Sequence, residues 1–505
     1  MNSKLDILFV TPPSRLEVYQ DLSNEYAAIE PPVWSSLIAK YMMIRNYNVK
    51  ILDAEAEQLT HEQTAKKIVD QNPLLVVFMV YGQQPSASTQ CMPAGRKTAN
   101  IMNQLSSNEM KSIVIGTHAS ALPKRTLQEE AYTYVCQGEG PKTIEGLVKH
   151  LKNEKIKLSD IPGLWYYEDN EIKKNKPAKM FTELDKDLPG QSWELLDMRK
   201  YKAHNWHTFH NLKSVNRYAS LQTSLGCPFK CTFCCINAPF ERNTIRFWSA
   251  KHIIKEIKTL VEDYEIYNIK IPDEMFVLNP KQVIEICDEI TKYGYGEKLN
   301  FWAYARIDTL NDNEMLKKMK KSGFKWLGLG IESSSKHVRD GVVKGRFNNY
   351  NIEEIVKKVR DMGFYVGSNY IFGLPDDDLD SMKETLDLSL RINSEWANFY
   401  SAMAYPGSQL YPMAITKKWQ LPDSPGGPGW IGYSQHAYET LPLRTEKIKA
   451  SEVLDFRDKA FNTYFQNQDY LSMVKDTYGK DTLDHVNRMT KNKIKRKHHF
   501  EEVNY

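Results

Sequence analysis

The feature that most limits the fold is an alternation, run through twice along 505 residues, of short apolar runs with segments of helical apolar spacing. In the first series the runs are Lys4–Thr11, Val49–Leu52, Leu74–Val80, Ser112–Ile115 and Tyr132–Cys136, with helical stretches near 33–45, 61–71 and 95–105. Such alternation predicts a doubly wound α/β domain, a parallel sheet with helices on both faces and ligands at the carboxyl ends of the strands. The second series holds six runs: Tyr218–Leu225, Asn268–Ile271, Leu299–Ala305, Trp326–Ile331, Tyr365–Phe372 and Trp396–Ala404. Repeated βα units of this kind close into a barrel or a partial (β/α)6 barrel whose chemistry sits at the carboxyl ends of its strands. Those ends carry Cys227, Asp273-Glu274, Arg306 with Asp308, Glu332-Ser333, Gly373 and Tyr405 to Ser408.

Directly after the first of these six runs stands Cys227-Pro-Phe-Lys-Cys231-Thr-Phe-Cys234, a C-x3-C-x2-C spacing. Three thiolates so close can hold three irons of a [4Fe–4S] cube and leave the fourth iron open to bind and reduce a ligand. The alternative is a structural zinc site, but such sites usually pair two knuckles. Cys91, Cys136 and Cys287 are isolated, and Cys235, adjacent to Cys234, is badly placed to complete a tetrahedron. Seven cysteines, four of them within nine residues, fit a reducing compartment better than a disulfide framework. With no signal-peptide pattern and no long apolar run, the expectation is a cytoplasmic protein without an integral membrane segment. A net charge of +4 is too small for this length to argue for a nucleic-acid partner.

The loops after the first-series strands read Gly82-Gln-Gln-Pro-Ser86-Ala-Ser88, Gly116-Thr117-His118-Ala-Ser120-Ala121 and Gly138-Glu139-Gly140. Glycines permit close backbone approach, and hydroxyls with free N–H groups satisfy amide or phosphate oxygens. Each loop taken alone reads equally well as a tight turn.

Together these motifs resemble the cobalamin-dependent radical S-adenosylmethionine enzymes, in their methylase-like branch, over about residues 5–410. The resemblance implies that Cys227, Cys231 and Cys234 ligate a [4Fe–4S] cluster and that Phe233 packs near the adenine of S-adenosylmethionine. It implies that Asp273 and Glu274, in IPDEMFVLNP, bind the methionine ammonium. Arg306, Glu332 and Ser333 (within GIESSS) and Gly373 (within YIFGLP) are then expected to meet the ribose, carboxylate and adenine. Residues 1–155 become a Rossmann-like cobalamin-binding domain, with Gly82, Ser86, Ser88, Gly116, Thr117, His118, Ser120, Ala121, Gly138, Glu139 and Gly140 as the expected contacts. One departure is plain: the Asp-x-His-x-x-Gly motif is missing, and the loop after the first strand reads Thr11-Pro-Pro-Ser-Arg15. A cobalt without a protein histidine below it is therefore expected, and His118 is not given that role.

Residues 156–215 read as a linker, rich in Pro-Gly pairs and mixed charge; 216–410 as the barrel; and 411–505 as a mainly helical extension with a basic tail. In the linker, His204, His207 and His210 fit a metal site, a cavity lining or a polar face alike. Ser434-Gln435-His436, in a Gly/Pro-rich stretch, is placed to cover the open barrel and touch substrate. The run KNKIKRKHH is expected to be a solvated tail.

The function this implies is methylation of an unactivated carbon, less readily phosphorus, in a small-molecule or lipid intermediate. The resemblance supplies the steps: reductive cleavage of S-adenosylmethionine, hydrogen abstraction from substrate, and methyl delivery from methylcobalamin, with an external flavodoxin- or ferredoxin-type electron donor. The rivals are radical cyclisation, rearrangement or oxidation on the same cofactors, methylthio transfer, and a zinc-stabilised binding protein. Methylthio transfer is disfavoured because only Cys91 and Cys136 lie in the first domain, where a second cluster needs three cysteines.

Overall fold

The structure, a computed structural model, describes residues 4–81, 87–107, 109–344 and 351–499, so Gly82 and Ser86 lie outside the described residues. The first-series runs form β1 (Ile7–Thr11), β2 (Val49–Asp53), β3 (Leu75–Met79), β4 (Ser112–Ile115) and β5 (Tyr134–Cys136). Their side chains are almost all buried, as a sheet covered on both faces requires. The sheet runs β2-β1-β3-β4-β5, all parallel, and is extended by β6 (Leu164–Glu168) and β7 (Glu171–Lys174). These last two strands are antiparallel, so part of the expected linker is a hairpin that covers the edge of β5.

The second sheet is parallel throughout, in the order β15-β14-β13-β12-β11-β8. Its strands are β8 (Tyr218–Ser220), β11 (Asn268–Ile271), β12 (Asn300–Arg306), β13 (Phe324–Glu332), β14 (Tyr365–Phe372) and β15 (Trp396–Ser401). The run expected as one strand over Tyr218–Leu225 is broken. After β8 the chain turns into β9 (Ser224–Leu225), which pairs with β10 (Arg246–Phe247). Buried Asp273 makes the break by accepting bonds from Thr223 N (2.8 Å), Thr223 Oγ1 (2.6 Å) and Ser224 Oγ (2.5 Å).

The sheet curls but does not close, since β8 and β15 do not pair. Side chains from outside the barrel satisfy the exposed edges. Gln191 Nε2 donates to Ser220 O (3.1 Å), and Arg457 Nε donates to Phe399 O (2.8 Å). Gln435 mimics a strand, accepting from Ser401 N (2.9 Å) and donating to Ser401 O (2.9 Å). At the amino-terminal end, Trp206 stands against Trp302 (5.0 Å) and Trp326 (5.1 Å) and floors the barrel.

Most of the basic tail is exposed, as expected of a solvated run, but one of its residues is not. Arg496 is only 5% exposed and bonds Asp458 (2.9 Å) and the carbonyls of Gln435 (2.9 Å) and Ala437 (3.2 Å). Gln20 Nε2, from the first domain, donates to the carbonyls of His436 (2.7 Å) and Lys495 (3.0 Å). The tail therefore fastens the segment over the barrel opening. Asp458→Asn would strip two buried guanidiniums of their shared carboxylate, at about 3 kcal/mol. The expected outcome is a lower melting midpoint together with faster amide exchange over 434–440; unchanged exchange there would show that the tail does not hold the segment.

Candidate active site

The cysteine loop is held by its own neighbours. Gly226 turns at φ +88°, where a Cβ would meet the carbonyl oxygen of Thr244 at 2.3 Å. Asn237 then clamps the backbone of Cys227 on both sides, accepting from its N–H (3.1 Å) and donating to its carbonyl (2.8 Å). Cys227, Cys231 and Cys234 all line one chamber of about 480 Å³ inside the curled sheet. Burial pushes the Cys227 thiol up to about 11, so a thiolate there needs a cationic partner, which iron supplies. Among the described residues no three His, Cys, Asp or Glu side chains are gathered as one metal ion would require. Three thiols from one loop lining one chamber are the ligand number that a cube with one open iron takes.

Phe233, Glu274, Arg306 and Glu332 line the same chamber. Arg306 pairs with Asp308 (2.9 Å), lies over the Phe229 ring (4.1 Å) and reaches Cys231 Sγ (3.9 Å). Glu332, at φ +65° where the β13–β14 register shifts, pairs with Lys344 (2.7 Å). Burial raises Glu274 to about 7, with Lys270 pulling it down and Asp273 pushing it further up. An ammonium placed beside it would restore its charge. Three other candidates are turned away from the chamber lining. Asp273 holds the β8–β9 break described above. Ser333 Oγ meets Thr385 Oγ1 (3.2 Å), and Gly373, at φ +81°, packs on Val453 with its N–H on Asp377 (3.0 Å).

A second, smaller cavity of about 130 Å³ lies between the carboxyl edge of the first sheet and the barrel. Tyr19, Gln90, Ile236, Lys270 and Glu274 line both, so the two cavities abut. Thr11 Oγ1, Ser35 Oγ and Tyr81 OH line the smaller one, buried and without a hydrogen-bond partner, beside Ser14, Glu55 and Gln90. Unsatisfied hydroxyls as donors, with carboxylate and amide oxygens as acceptors, are groups that an amide-fringed corrin can pair with. The enclosed volume holds only part of a corrin, which would have to extend past Tyr19 into the larger chamber.

The expected cobalamin contacts are placed differently. Ser88, Gly116, Thr117, His118, Ser120, Ala121, Gly138, Glu139 and Gly140 line neither cavity. Ser88 bonds Val80 O and accepts from His118 N (3.1 Å), Ser120 accepts from Gly138 N (3.2 Å), and Glu139 pairs with Arg246 (2.8 Å). His118 is buried against Trp430 (4.5 Å), and burial takes its imidazole down to about 3. Of the linker histidines, His204 lines the chamber, whereas His207 is buried and bonded to Asn300 O (2.8 Å). His436 and His485 join His204 there from the carboxyl-terminal extension.

Among the chamber residues to which the sequence assigns no role is Lys270, which is 2% exposed and pairs with Glu30 of the first domain (3.0 Å). Its signal was present: a lysine inside the strand Asn-Ile-Lys-Ile, where burial tolerates a charge only with a partner.

The substitution of Cys227, Cys231 and Cys234 together by Ala is expected to abolish iron–sulfur absorption, and Cys235→Ala to retain it. Iron content near four in the triple variant would overturn the ligand assignment. Glu274→Gln is expected to weaken S-adenosylmethionine binding by about tenfold with the cluster intact. Asp273→Asn should instead lower thermal stability, because it unties β9. Equal loss of cofactor affinity in both would contradict this division.

Comparison with known proteins gives the same two halves. The family model for the B12 binding domain matches residues 19–148, and that for the radical SAM superfamily matches residues 221–389. An uncharacterized methyltransferase of Pyrococcus horikoshii is 29% identical over 81% of this chain and 83% of its own. An anaerobic magnesium-protoporphyrin IX monomethyl ester cyclase of Rubrivivax gelatinosus is 23% identical over 92% of this chain and 78% of its own. Among solved structures, the cobalamin-dependent S-adenosylmethionine radical enzyme OxsB aligns over 97% of this chain and 72% of its own, at 16% identity and a TM-score of 0.69. With a B12-binding domain, a radical SAM domain and the three-cysteine loop in one chain, the protein belongs to the cobalamin-dependent radical S-adenosylmethionine enzymes, whose cofactors are a [4Fe–4S] cluster, S-adenosylmethionine and cobalamin.

Proposed function

We propose that the protein transfers a methyl group to an unactivated carbon, less readily to phosphorus, of a small-molecule or lipid intermediate. The observation that carries this reading is the shared wall of the two cavities, where Tyr19, Gln90, Ile236, Lys270 and Glu274 face both. Groups bound on either side would address one substrate. The similarity to a methyltransferase over most of both chains supports the same outcome.

When bound, the cluster with S-adenosylmethionine supplies one-electron chemistry and cobalamin supplies a transferable methyl group. The chain's own residues hold and orient. Cys227, Cys231 and Cys234 would ligate the cluster, and Glu274 would take the methionine ammonium. Arg306 and the Glu332–Lys344 pair would meet the carboxylate and ribose, each with charge to match, while Phe233 would flank the adenine. Gly367 lines the chamber with nothing within 4 Å of where its Cβ would stand, so that substrate has room against the barrel wall there, whereas Gly328 and Gly330 make way for Tyr304 and for the Glu332–Lys344 pair. The Trp206–Trp302 floor shuts water out from below. Thr11, Ser35, Tyr81 and Glu55 would hold the corrin edge. No described helix is long and apolar enough to cross a membrane, and an external flavodoxin- or ferredoxin-type donor would deliver electrons.

The reading is tested by anaerobic incubation of the reconstituted protein with S-adenosylmethionine, methylcobalamin, reductant and candidate substrates drawn from its genomic neighbourhood. The expected products are 5′-deoxyadenosine, S-adenosylhomocysteine and a compound heavier by one methyl group. 5′-Deoxyadenosine with a product that gains no methyl group would refute methylation. It would favour cyclisation, rearrangement or oxidation, the reading to which the cyclase similarity points.

A further inference from the structure

Among the described residues four lysine and arginine side chains line the large chamber: Lys270, Arg306, Lys344 and Arg457. Three have a carboxylate of their own, Glu30 for Lys270 (3.0 Å), Asp308 for Arg306 (2.9 Å) and Glu332 for Lys344 (2.7 Å). Arg457 does not. Its Nη1 bonds Asp458 (2.8 Å), but Arg496 bonds the same carboxylate through Nε (2.9 Å) and Nη2 (3.1 Å). Each arginine is 5% exposed, so among the described residues two buried guanidiniums share one carboxylate and one positive charge is left over. A buried charge without a counter-ion is costly, and a ligand anion would remove that cost.

The geometry around Arg457 is that of a half-built seat. Its Nε is committed to Phe399 O, which fixes the side chain across the open edge of β15, and its Nη2 lies 3.4 Å from His436 Nε2. Burial, reinforced by Arg457, holds His436 neutral. An imidazole that accepts at Nε2 carries its proton on Nδ1, which gives the chamber wall a second donor. Below this polar edge the chamber is lined by Trp302, Trp396 and Phe461, with the Arg457 guanidinium 5.7 Å from the Phe461 ring.

We propose that the substrate carries an anionic group, a carboxylate or a phosphate, seated on Arg457 and His436 at the open seam of the barrel, with its apolar body against Trp302, Trp396 and Phe461. This rests on the reading of the chamber as the place of reaction. Occupied in this way, Arg457 would select for the anion and fix the distance from that group to the carbon beneath the shared wall. Arg457→Met is a tolerable change on the same argument, because it leaves Arg496 and Asp458 as a balanced pair.

The test uses the protein loaded with cluster and cobalamin, anaerobically and with S-adenosylmethionine saturating, titrated by calorimetry with three matched probes: 2-naphthoate, 2-naphthyl phosphate and the neutral 2-naphthamide. Both anions are expected to bind about tenfold or more tightly than the amide, and the tighter of the two names the group. Arg457→Met should abolish that preference while amide binding stays, and His436→Gln should weaken it. Should Arg457→Met fail to fold, the His436→Gln comparison decides alone. Equal binding of amide and anions, or an anion preference that persists in both variants, would overturn the proposal. So would a preference that appears only without S-adenosylmethionine, since Arg457 would then serve the cofactor's carboxylate. None of these readouts requires turnover, so anion binding by a protein that does not methylate would refute the function above and leave this seat standing.

Discussion

An open half-barrel has two bare edges, and the rest of this molecule is arranged around that constraint. Backbone groups at a sheet edge inside a protein must find partners. Here Gln191 reaches β8 from the linker, while Gln435 and Arg457 reach β15 from the carboxyl-terminal extension. The tail locks that extension through Arg496 and Asp458, and Gln20 ties both to the first domain. The opening left between the edges is not sealed by apolar packing. It remains a chamber whose lateral wall is built of histidines, tyrosines and Arg457.

A second constraint follows from where the first domain docks. Glu30 crosses to Lys270, and Tyr218 OH adds a bond to the same carboxylate (2.9 Å). Burial opposes ionisation of Glu30, but Lys270 beside it holds its carboxyl below the usual range. An ion pair this deep gains little net stability over an apolar contact. Its effect is geometric, because it fixes the carboxyl edge of the first sheet against the barrel wall between the two cavities. The short approach from one cavity to the other depends on that register.

Much of this was legible in the sequence. The strands of both sheets fall close to the runs of apolar residues, because fully buried parallel strands cannot alternate with polar residues. The three cysteines converge on one chamber since their spacing confines them to a single loop. What periodicity cannot supply is which of two adjacent side chains faces inward once a strand has ended. Asp273 and Glu274 look alike in sequence, yet one braces a chain break and the other lines the chamber. In the loops Gly116–Ala121 and Gly138–Gly140 the N–H groups of His118 and Gly138 bond to neighbouring loops, whereas Thr117 Oγ1 and His118 Nε2 are buried without a partner, a difference that spacing does not reveal. The tail and Arg457 were illegible for a different reason: apart from Asp458 next to Arg457, their partners Phe399, His436 and Gln20 lie far away in the chain, and a basic run gives no sign of a buried acid waiting for it.

The two cavities form one working space held at fixed register by Glu30 and Lys270. Pulsed electron paramagnetic resonance between cob(II)alamin and the reduced cluster measures this directly, as a distance distribution across the shared wall. A single narrow distance is expected in the wild-type protein and a broader one in Glu30→Gln, where the charge pair is lost but the cavities remain. A broad distribution in the wild type, or the same narrow distance in both proteins, would contradict it.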